Sequence, residues 1–167
     1  MTINATTLDT PVGGLTLLAR DDTLVGAGFT TVETLAARLA TPSEKVVYGR
    51  YLGRLSAAVS AYLDGDVWAL DDLPVSQSGG DFVQAAWKVM REVPAGTTIT
   101  YAELAARAGR PQAVRAAGSA CASNLIAPIV PCHRIVRTGG TLGGYAYGLP
   151  VKQWLLDHER RLQRSSA

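Results

Sequence analysis

Residues 129–136 read Ile-Val-Pro-Cys-His-Arg-Ile-Val and place a cysteine beside a histidine in an otherwise apolar run. The β-branched residues on both sides predict a buried β-strand, with Pro131 at its end or at a bulge because proline has no backbone donor. An unpaired cysteine in such a run is usually a small buried hydrophobe. His133 and Arg134, however, can both favour a thiolate at Cys132. Neighbouring strand residues face opposite sides, so help from His133 requires a bent backbone or a bridging water. Cys132 is therefore a candidate nucleophile whose pKa we expect to lie below that of a free thiol.

The composition predicts a soluble globular protein of one or two domains. The chain has 167 residues, of which 47% are hydrophobic and 18% charged. No apolar run approaches the length of a membrane span, and residues 1–5 lack the basic and apolar regions of a signal peptide. We therefore expect a cytoplasmic protein that does not bind membranes.

Cysteine and histidine are scarce. Cys121 and Cys132 are too few for a disulfide scaffold, and His133 and His158 do not provide zinc ligands at the usual spacing. We predict no metal site, and we assign Cys121 to packing within an alanine-rich helix.

Charge is distributed unevenly along the chain. Residues 1–80 contain five basic and nine acidic side chains, whereas residues 81–167 contain eleven basic and five acidic ones. A basic half is typical of a protein with a polyanionic partner.

The first half predicts a small α/β domain with an antiparallel sheet. Short runs around a Pro/Gly cluster indicate a hairpin over 6–19, and 24–29 supplies a third strand. Thr31 can cap a short helix that Pro42 stops, and Ser43 can cap a longer one over 43–64. Residues 71–80 are rich in turn formers, so we place this domain at 1–75, with a linker to about 80.

The second half, 81–167, predicts a mainly helical domain with a winged helix-turn-helix-like motif. Asp81 and Gln84 form the pattern of a capping box for a helix that Pro94 ends, and Thr100 with Glu103 forms another. A helix over 101–108, a Gly-containing turn and a helix over 112–122 follow, although an ordinary αα-corner fits the same pattern.

Arginine and small residues favour the DNA-binding interpretation of these two helices. Residues 101–137 contain five arginines and one acidic residue, Glu103. Arginine contacts phosphates, and small side chains such as Ala116, Gly118 and Ser119 let a helix approach a groove closely. Small residues equally suit tight helix packing.

Three motifs together carry a family resemblance: Pro131-Cys132-His133-Arg134, then Gly143-Gly144-Tyr145, then Lys152 with Leu155, Leu156 and Glu159. From about Asp81 to Glu159 the chain resembles the O6-alkylguanine-DNA alkyltransferases. The resemblance implies irreversible, stoichiometric transfer of an alkyl group from guanine O6 in double-stranded DNA to Cys132. It also implies that no cofactor is needed and that the free protein is a monomer.

The resemblance also implies roles for individual residues. Cys132 is the acceptor, activated through water by His133, which Glu159 orients. Tyr101 contacts DNA, where it helps to rotate the target phosphate, and it assists the departing guanine. Asn124 shapes the turn before the cysteine. Arg115 takes the place of the extruded nucleotide. The remaining expected DNA contacts are Arg110, Ala116, Gly118 and Ser119, and the expected substrate contacts are Val136, Tyr145, Ala146 and Tyr147.

Two departures from the family pattern and two other classes of function remain open. Leu125 follows the turn asparagine where relatives often have proline, and Tyr147 is larger than its usual counterpart. A helix-turn-helix regulator without chemistry would not depend on Cys132. A cysteine hydrolase would turn over esters or amides, but no Gly-rich oxyanion loop precedes Cys132.

Overall fold

The computed structural model describes residues 2–39 and 44–165, with side chains described as far as Arg161. The chain forms two compact units. The first ends at Gln77 and also contains Leu125–Ile129, and the second comprises Ser78–Asn124 and the residues from Val130 onward. The return of Leu125–Ile129 to the first unit was not anticipated, because local composition does not say which core a short apolar run joins.

A four-stranded sheet forms the centre of the first unit. Its strands are β1 (Thr2–Thr10), β2 (Gly13–Arg20), β3 (Thr23–Gly28) and β4 (Lys45–Tyr48), in the spatial order β3-β2-β1-β4. β2 is antiparallel to β1 and β3, so the predicted hairpin and third strand are confirmed. β4 runs parallel to β1.

The long helix predicted over 43–64 is wrong in its first half. Ser43 and Pro42 lie outside the described residues, but Lys45–Tyr48 is a strand, and α2 spans only Arg54–Leu63. Val46 and Val47 are β-branched, and the edge of β1 offers backbone partners that helical periodicity cannot reveal. Gly53, with φ of 57°, precedes the helix. The predicted end at Asp64-Gly65 is confirmed.

Helix α1 (Val32–Ala36) packs on the sheet. Its predicted cap is confirmed, because the Thr31 side chain accepts a hydrogen bond from the Thr34 amide. Val32 and Leu35 join a core whose other buried members are Ile3, Ala5, Leu18, Val25 and Leu39. Two segments cover the outer edge of β3: Leu24 bonds to Pro74 and Ser76, and Ala27 bonds to Leu125 and Ala127.

Six short elements and one longer helix form the second unit. They are α3 (Asp81–Glu92), β5 (Ile99–Thr100), α4 (Tyr101–Arg107), α5 (Val114–Ala122), a 3-10 turn (Cys132–Arg134), β6 (Ile135–Val136) and α6 (Leu149–Ser165). The Thr100–Glu103 capping box is confirmed. The Asp81–Gln84 box is wrong, because Gly80 holds the cap position and Asp81 already lies in the first turn of α3.

The strand predicted over 129–136 is buried as expected but mostly not extended. Residues 129–136 are all buried, yet only Ile135 and Val136 pair as a strand, with β5. Pro131 provides no backbone donor, and the Cys132 amide turns back to the Val130 carbonyl at 2.9 Å. The 3-10 turn at Cys132–Arg134 follows.

None of the helices within the described residues is both long and apolar enough to cross a membrane.

Candidate active site

Cys132 opens the 3-10 turn and lies at the wall of a cavity. Only 6% of its surface is exposed, and it is one of the residues that line an opening of about 610 Å³ in the second unit. A pocket of this size can hold a group as large as a nucleobase. The backbone bend at Pro131 therefore presents a thiol to a half-open, largely apolar cavity.

Burial raises the pKa of the Cys132 thiol above its ordinary value. Desolvation is the largest cause, and it outweighs a hydrogen bond with Asn124 and the positive charge of Lys152, which both favour the thiolate. The pKa expected from the sequence was below that of a free thiol, and this prediction is wrong for the free protein. The resting thiol is protonated at neutral pH, so a nucleophilic role requires a base.

His133 and Glu159 form a buried pair beside the cysteine. Both side chains are fully buried, and His133 Nε2 lies 2.8 Å from Glu159 Oε2. Arg134 binds the same carboxylate in bidentate fashion, with Nε donating to Oε1 at 2.9 Å and Nη2 donating to Oε2 at 3.0 Å. Arg134 also donates to the Val93 carbonyl at 2.8 Å. The carboxylate thus has a cation on one side and an imidazole on the other.

These contacts fix the charges and the tautomer of the pair. Burial alone would raise the pKa of Glu159, but the charges and hydrogen bonds of His133 and Arg134 lower it well below its ordinary value. Burial lowers the pKa of His133, against the opposing effect of Glu159. A carboxylate only accepts hydrogen bonds, so His133 Nε2 carries the proton and donates. Nδ1 is then a neutral base, and it is buried without a protein hydrogen-bond partner among the described residues.

Asn124 supports the turn that carries the cysteine. This buried residue follows the C-cap of α5, and its Nδ2 donates to the Val130 carbonyl at 2.8 Å. It also bonds the Cys132 thiol. Asn124 therefore links the end of α5 to the residues on both sides of Pro131.

Helices α4 and α5 and the loop before α6 form the cavity walls. The lining residues are Tyr101, Val114, Arg115, Gly118, Cys121, Ala122, Cys132, Arg137, Gly144, Tyr145 and Ala146. The α5 residues among them recur every three or four positions, so they form one helical face. Ala117 and Ala120 lie on another face and are buried. Of the small residues of α5, Gly118 therefore belongs to the open face, whereas Ala117 and Ala120 serve packing.

Tyr101 is held at the start of α4 by the loop. Its pKa is raised, chiefly by burial, although a bond with the Gly144 backbone opposes this. Gly143 has φ of 74°, and a Cβ there would lie 2.7 Å from the Tyr101 hydroxyl oxygen. Only glycine fits this close approach. The phenol is consequently a protonated donor in a fixed position.

Several predicted contact residues lie away from this cavity. Val136 lines a second depression with Thr98, Gln153 and Arg160. Tyr147 packs edge-on against Tyr145, with ring centroids 5.7 Å apart. Three predicted DNA contacts do not line the cavity: Arg110, Ala116 and Ser119. The Arg110 guanidinium instead lies over the Phe82 ring, 5.7 Å from its centroid.

The sequence did not anticipate the observed roles of four residues, although Arg134 was named as a cation that can favour the Cys132 thiolate and Lys152 as part of the family motif. In the structure, Arg134 forms an ion pair with Glu159, and Lys152 is buried. Cys121 and Arg137 line the cavity. One signal existed for Lys152: it lies seven residues before Glu159 on α6, hence on the same helical face as the buried Leu155 and Leu156. Cys121 was assigned to packing, yet it is half-buried and faces the cavity.

The geometry defines a class of protein: one with a buried cysteine next to a histidine–glutamate pair, at a cavity formed by a helix pair and a glycine-rich loop. Similarity to known proteins narrows this class. A family model described as "6-O-methylguanine DNA methyltransferase, DNA binding domain" matches residues 81–161.

Two relatives and one solved structure extend the match beyond that region. The methylated-DNA–protein-cysteine methyltransferase of Methanosarcina barkeri is 34% identical over 152 residues, which cover 91% of this chain and 94% of that protein. The Shigella flexneri protein of the same name is 43% identical over 107 residues, which cover 64% of this chain and 63% of its own length. The crystal structure of Mycobacterium tuberculosis OGT in complex with DNA has a TM-score of 0.81 at 32% identity and covers 95% of this chain and 94% of that one. The chain belongs to the methylated-DNA–protein-cysteine methyltransferase family, as the sequence motifs indicated.

Proposed function

We propose that this protein repairs O6-alkylguanine in double-stranded DNA by moving the alkyl group irreversibly onto Cys132. The observation that carries the proposal is the buried Cys132 at the wall of a base-sized cavity, next to the neutral base formed by His133 and Glu159. A flat aromatic substrate suits a cavity lined by Tyr101 and Tyr145.

The proposed reaction is a single displacement. The Cys132 proton passes through water to His133 Nδ1, and the imidazolium is stabilised by Glu159. The sulfur then attacks the alkyl carbon, the S–C bond forms and the C–O6 bond breaks. Tyr101 donates a hydrogen bond to the guanine, which leaves with its electron pair and takes up a proton. The thioether cannot revert, so each molecule reacts once and no cofactor is consumed.

The general base is required because the resting thiol is protonated. Burial raises the pKa of Cys132, while burial lowers that of His133. His133 is therefore unprotonated at Nδ1 and can accept a proton at neutral pH. Glu159, whose pKa is lowered, remains ionised and stabilises the imidazolium that forms.

Helices α4 and α5 serve as a helix-turn-helix in this proposal. An alkyl group on O6 inside a duplex is not accessible to a buried thiol, so the nucleotide must be extruded into the cavity. Arg115 is exposed at the start of α5 and lines the cavity mouth, where it can fill the space in the base stack. Gly118 lets the helix approach the groove, and the remaining proposed DNA contacts are Arg110, Ala116 and Ser119. We place the protein in the cytoplasm as a monomer when free of DNA.

Intact-protein mass spectrometry tests the transfer. A duplex that contains O6-methylguanine should add one methyl group to the protein, and peptide mapping should place it on Cys132. Cys132→Ala should abolish the transfer, and Cys121→Ala is the matched control that should retain methyl acceptance. Multiple turnovers, or methylation of Cys121 in the unmodified protein, would contradict the mechanism.

A further inference from the structure

Two depressions of the second unit share part of their walls. The cavity that contains Cys132 adjoins an open depression of about 840 Å³, and Arg137, Gly144 and Tyr145 line both of them. A Cβ at Gly144 would meet no atom within 4 Å, so the shared wall has open space and no side chain at this position. The proposed reaction takes place in the cavity alone, which leaves the second depression without a role.

Arg137 begins a tight turn at the shared wall. It directly follows β6, its amide donates to the Thr141 carbonyl at 2.9 Å, and its carbonyl accepts from the Gly140 amide at 3.1 Å. Gly140 has φ of 91°, a backbone conformation that favours glycine. The backbone of Arg137 is therefore held in place, while its side chain is exposed.

The second depression is basic. Its cations are Arg137 and Arg160, which are both exposed, and the residues that line it include no acidic side chain. Neither arginine forms a salt bridge with another residue in the part of the chain that the structure describes. Asp157 contacts this lining through Gln153, from which it accepts a hydrogen bond at 2.8 Å. Two guanidinium groups without a carboxylate partner are suited to bind an anion with several oxygen atoms, such as a phosphate.

The chemistry of the proposed substrate indicates which phosphate reaches this depression. Only the base of an extruded nucleotide enters the cavity, because its two phosphates are charged and remain outside, joined to the base through the sugar. The cavity lining contains two arginines, and Arg115 on α5 is already assigned to the gap in the base stack. Arg137 is the other one, and it also belongs to the basic depression.

We propose that the second depression is a phosphate subsite: Arg137 binds a phosphate of the extruded nucleotide, with Arg160 as a second cation, while the base lies beside Cys132. The inference rests on the proposed alkyl transfer and assigns a contact to the nucleotide that carries the lesion. A guanidinium–phosphate contact fixes the sugar-phosphate backbone at the cavity and thereby holds the alkyl carbon near the sulfur. The protein should consequently prefer a nucleotide to a nucleoside with the same base.

Small substrates that differ only in their phosphates test this contact. Methyl transfer to Cys132 is followed by intact-protein mass spectrometry at low ionic strength for O6-methyldeoxyguanosine and for its bisphosphate, which carries a phosphate on each sugar hydroxyl. The bisphosphate should react roughly threefold to tenfold faster, as expected for one charge-assisted contact at a partly exposed site. Arg137→Ala should reduce this ratio towards one, and Arg137→Lys should retain part of it. Lys88→Ala, which removes an exposed charge on α3, is the control and should keep the full ratio.

Equal rates for the two substrates in wild type would overturn the inference, and so would a full bisphosphate advantage in Arg137→Ala. If Arg137→Ala slows transfer from duplex DNA but keeps that advantage, the arginine contacts a phosphate elsewhere on the duplex and the subsite is wrong. Wild type that accepts no methyl group from duplex DNA or from either small substrate would overturn the proposed function instead. Calorimetry with the unmethylated bisphosphate then tests the subsite alone: Arg137→Ala should weaken binding, and equal affinities would contradict the subsite.

Discussion

Glu159 accepts hydrogen bonds from a histidine and an arginine, and all three side chains are buried. Removal of one charge from such a group leaves the other charge uncompensated in a low-dielectric environment, which is costlier than the loss of the contact itself. The carboxylate is therefore a structural as well as a chemical element of the site.

Glu159→Gln should lower the free energy of unfolding at pH 7 by about 3–5 kcal/mol, because Arg134 would be buried without a counter-ion. The pKa of Glu159 is lower in the folded than in the unfolded state, so its contribution is complete above pH 4.5, the ordinary pKa of glutamate, and is lost as pH falls further. Urea denaturation between pH 3 and 8 measures this difference. Asp157→Asn, exposed on the same helix, is the control. A difference that does not change with pH would contradict the assignment.

Gly143 is a second residue whose identity is determined by a neighbour. Gly143→Ala should displace the Tyr101 ring and slow methyl transfer, because the new Cβ would lie 2.7 Å from its hydroxyl oxygen. Gly140→Ala provides the matched control: Gly140 has φ of 91°, but a Cβ there meets no atom within 4 Å. Both variants strain the backbone, but only Gly143→Ala displaces Tyr101, so the difference between their transfer rates measures the steric effect. Equal rates would show that Gly143 does not position Tyr101.

At the scale of elements, α5 divides its small residues between two faces. Ala117 and Ala120 pack inward, while Arg115, Gly118 and Ala122 line the cavity. The sequence could not distinguish groove approach from helix packing. The structure assigns Ala117 and Ala120 to packing, whereas groove approach by the face that carries Gly118 remains part of the proposed function.

Gly118→Ala should stabilise the free protein by up to about 1 kcal/mol, because alanine has the higher helix propensity and a Cβ at Gly118 meets nothing within 4 Å. The same methyl group should slow repair of duplex DNA, because it adds bulk to the helix face that approaches the groove. Thermal denaturation and the rate of methyl transfer test both parts. A more stable protein with an unchanged rate would show that this face of α5 does not approach DNA.

Arg115→Ala should slow transfer from duplex DNA much more than transfer from free O6-methylguanine base, because the free base needs no extrusion. Single-turnover rates on the two substrates measure the ratio. Arg107→Ala, an exposed arginine at the end of α4, is the control and should not change it. Equal losses on both substrates would show that Arg115 does not take the place of the extruded nucleotide.

Local sequence signals predicted local structure. The Thr100–Glu103 box, the Thr31 cap and the hairpin all depend on residues close together in the chain, and the structure has all three. β4 was missed because its partner β1 is more than 40 residues away. Arg134 and Glu159 are 25 residues apart, so their ion pair had no local signal. The predicted direction of the Cys132 pKa shift was wrong for a related reason, because the desolvation that raises this pKa depends on the whole fold.

At the scale of the whole molecule, the charge imbalance has a measurable consequence. The basic excess belongs to residues 81–167. Cations that contact phosphates release counterions, so transfer from duplex DNA should slow steeply as salt rises from 50 to 200 mM at limiting protein concentration. Transfer from the free base should change little over the same range. A parallel decrease on both substrates would show that salt acts on the reaction and not on DNA binding.

The chain passes from the second unit into the first at Leu125 and returns to the second after Ile129. The residues on either side of this segment are joined by the hydrogen bond from Asn124 to the Val130 carbonyl. Within the first unit, this excursion supplies the backbone partners of Ala27 on β3. The two units are therefore not modules that recombination could exchange by a single crossover near residue 78. A gene cut there would encode a first fragment that keeps the partners of Leu24 at Pro74 and Ser76 but loses those of Ala27. The amide and carbonyl groups of Ala27 would then be unpaired at a sheet edge, which favours aggregation. The sheet therefore depends on a segment that lies directly before Cys132 in the chain, although Cys132 itself belongs to the other unit.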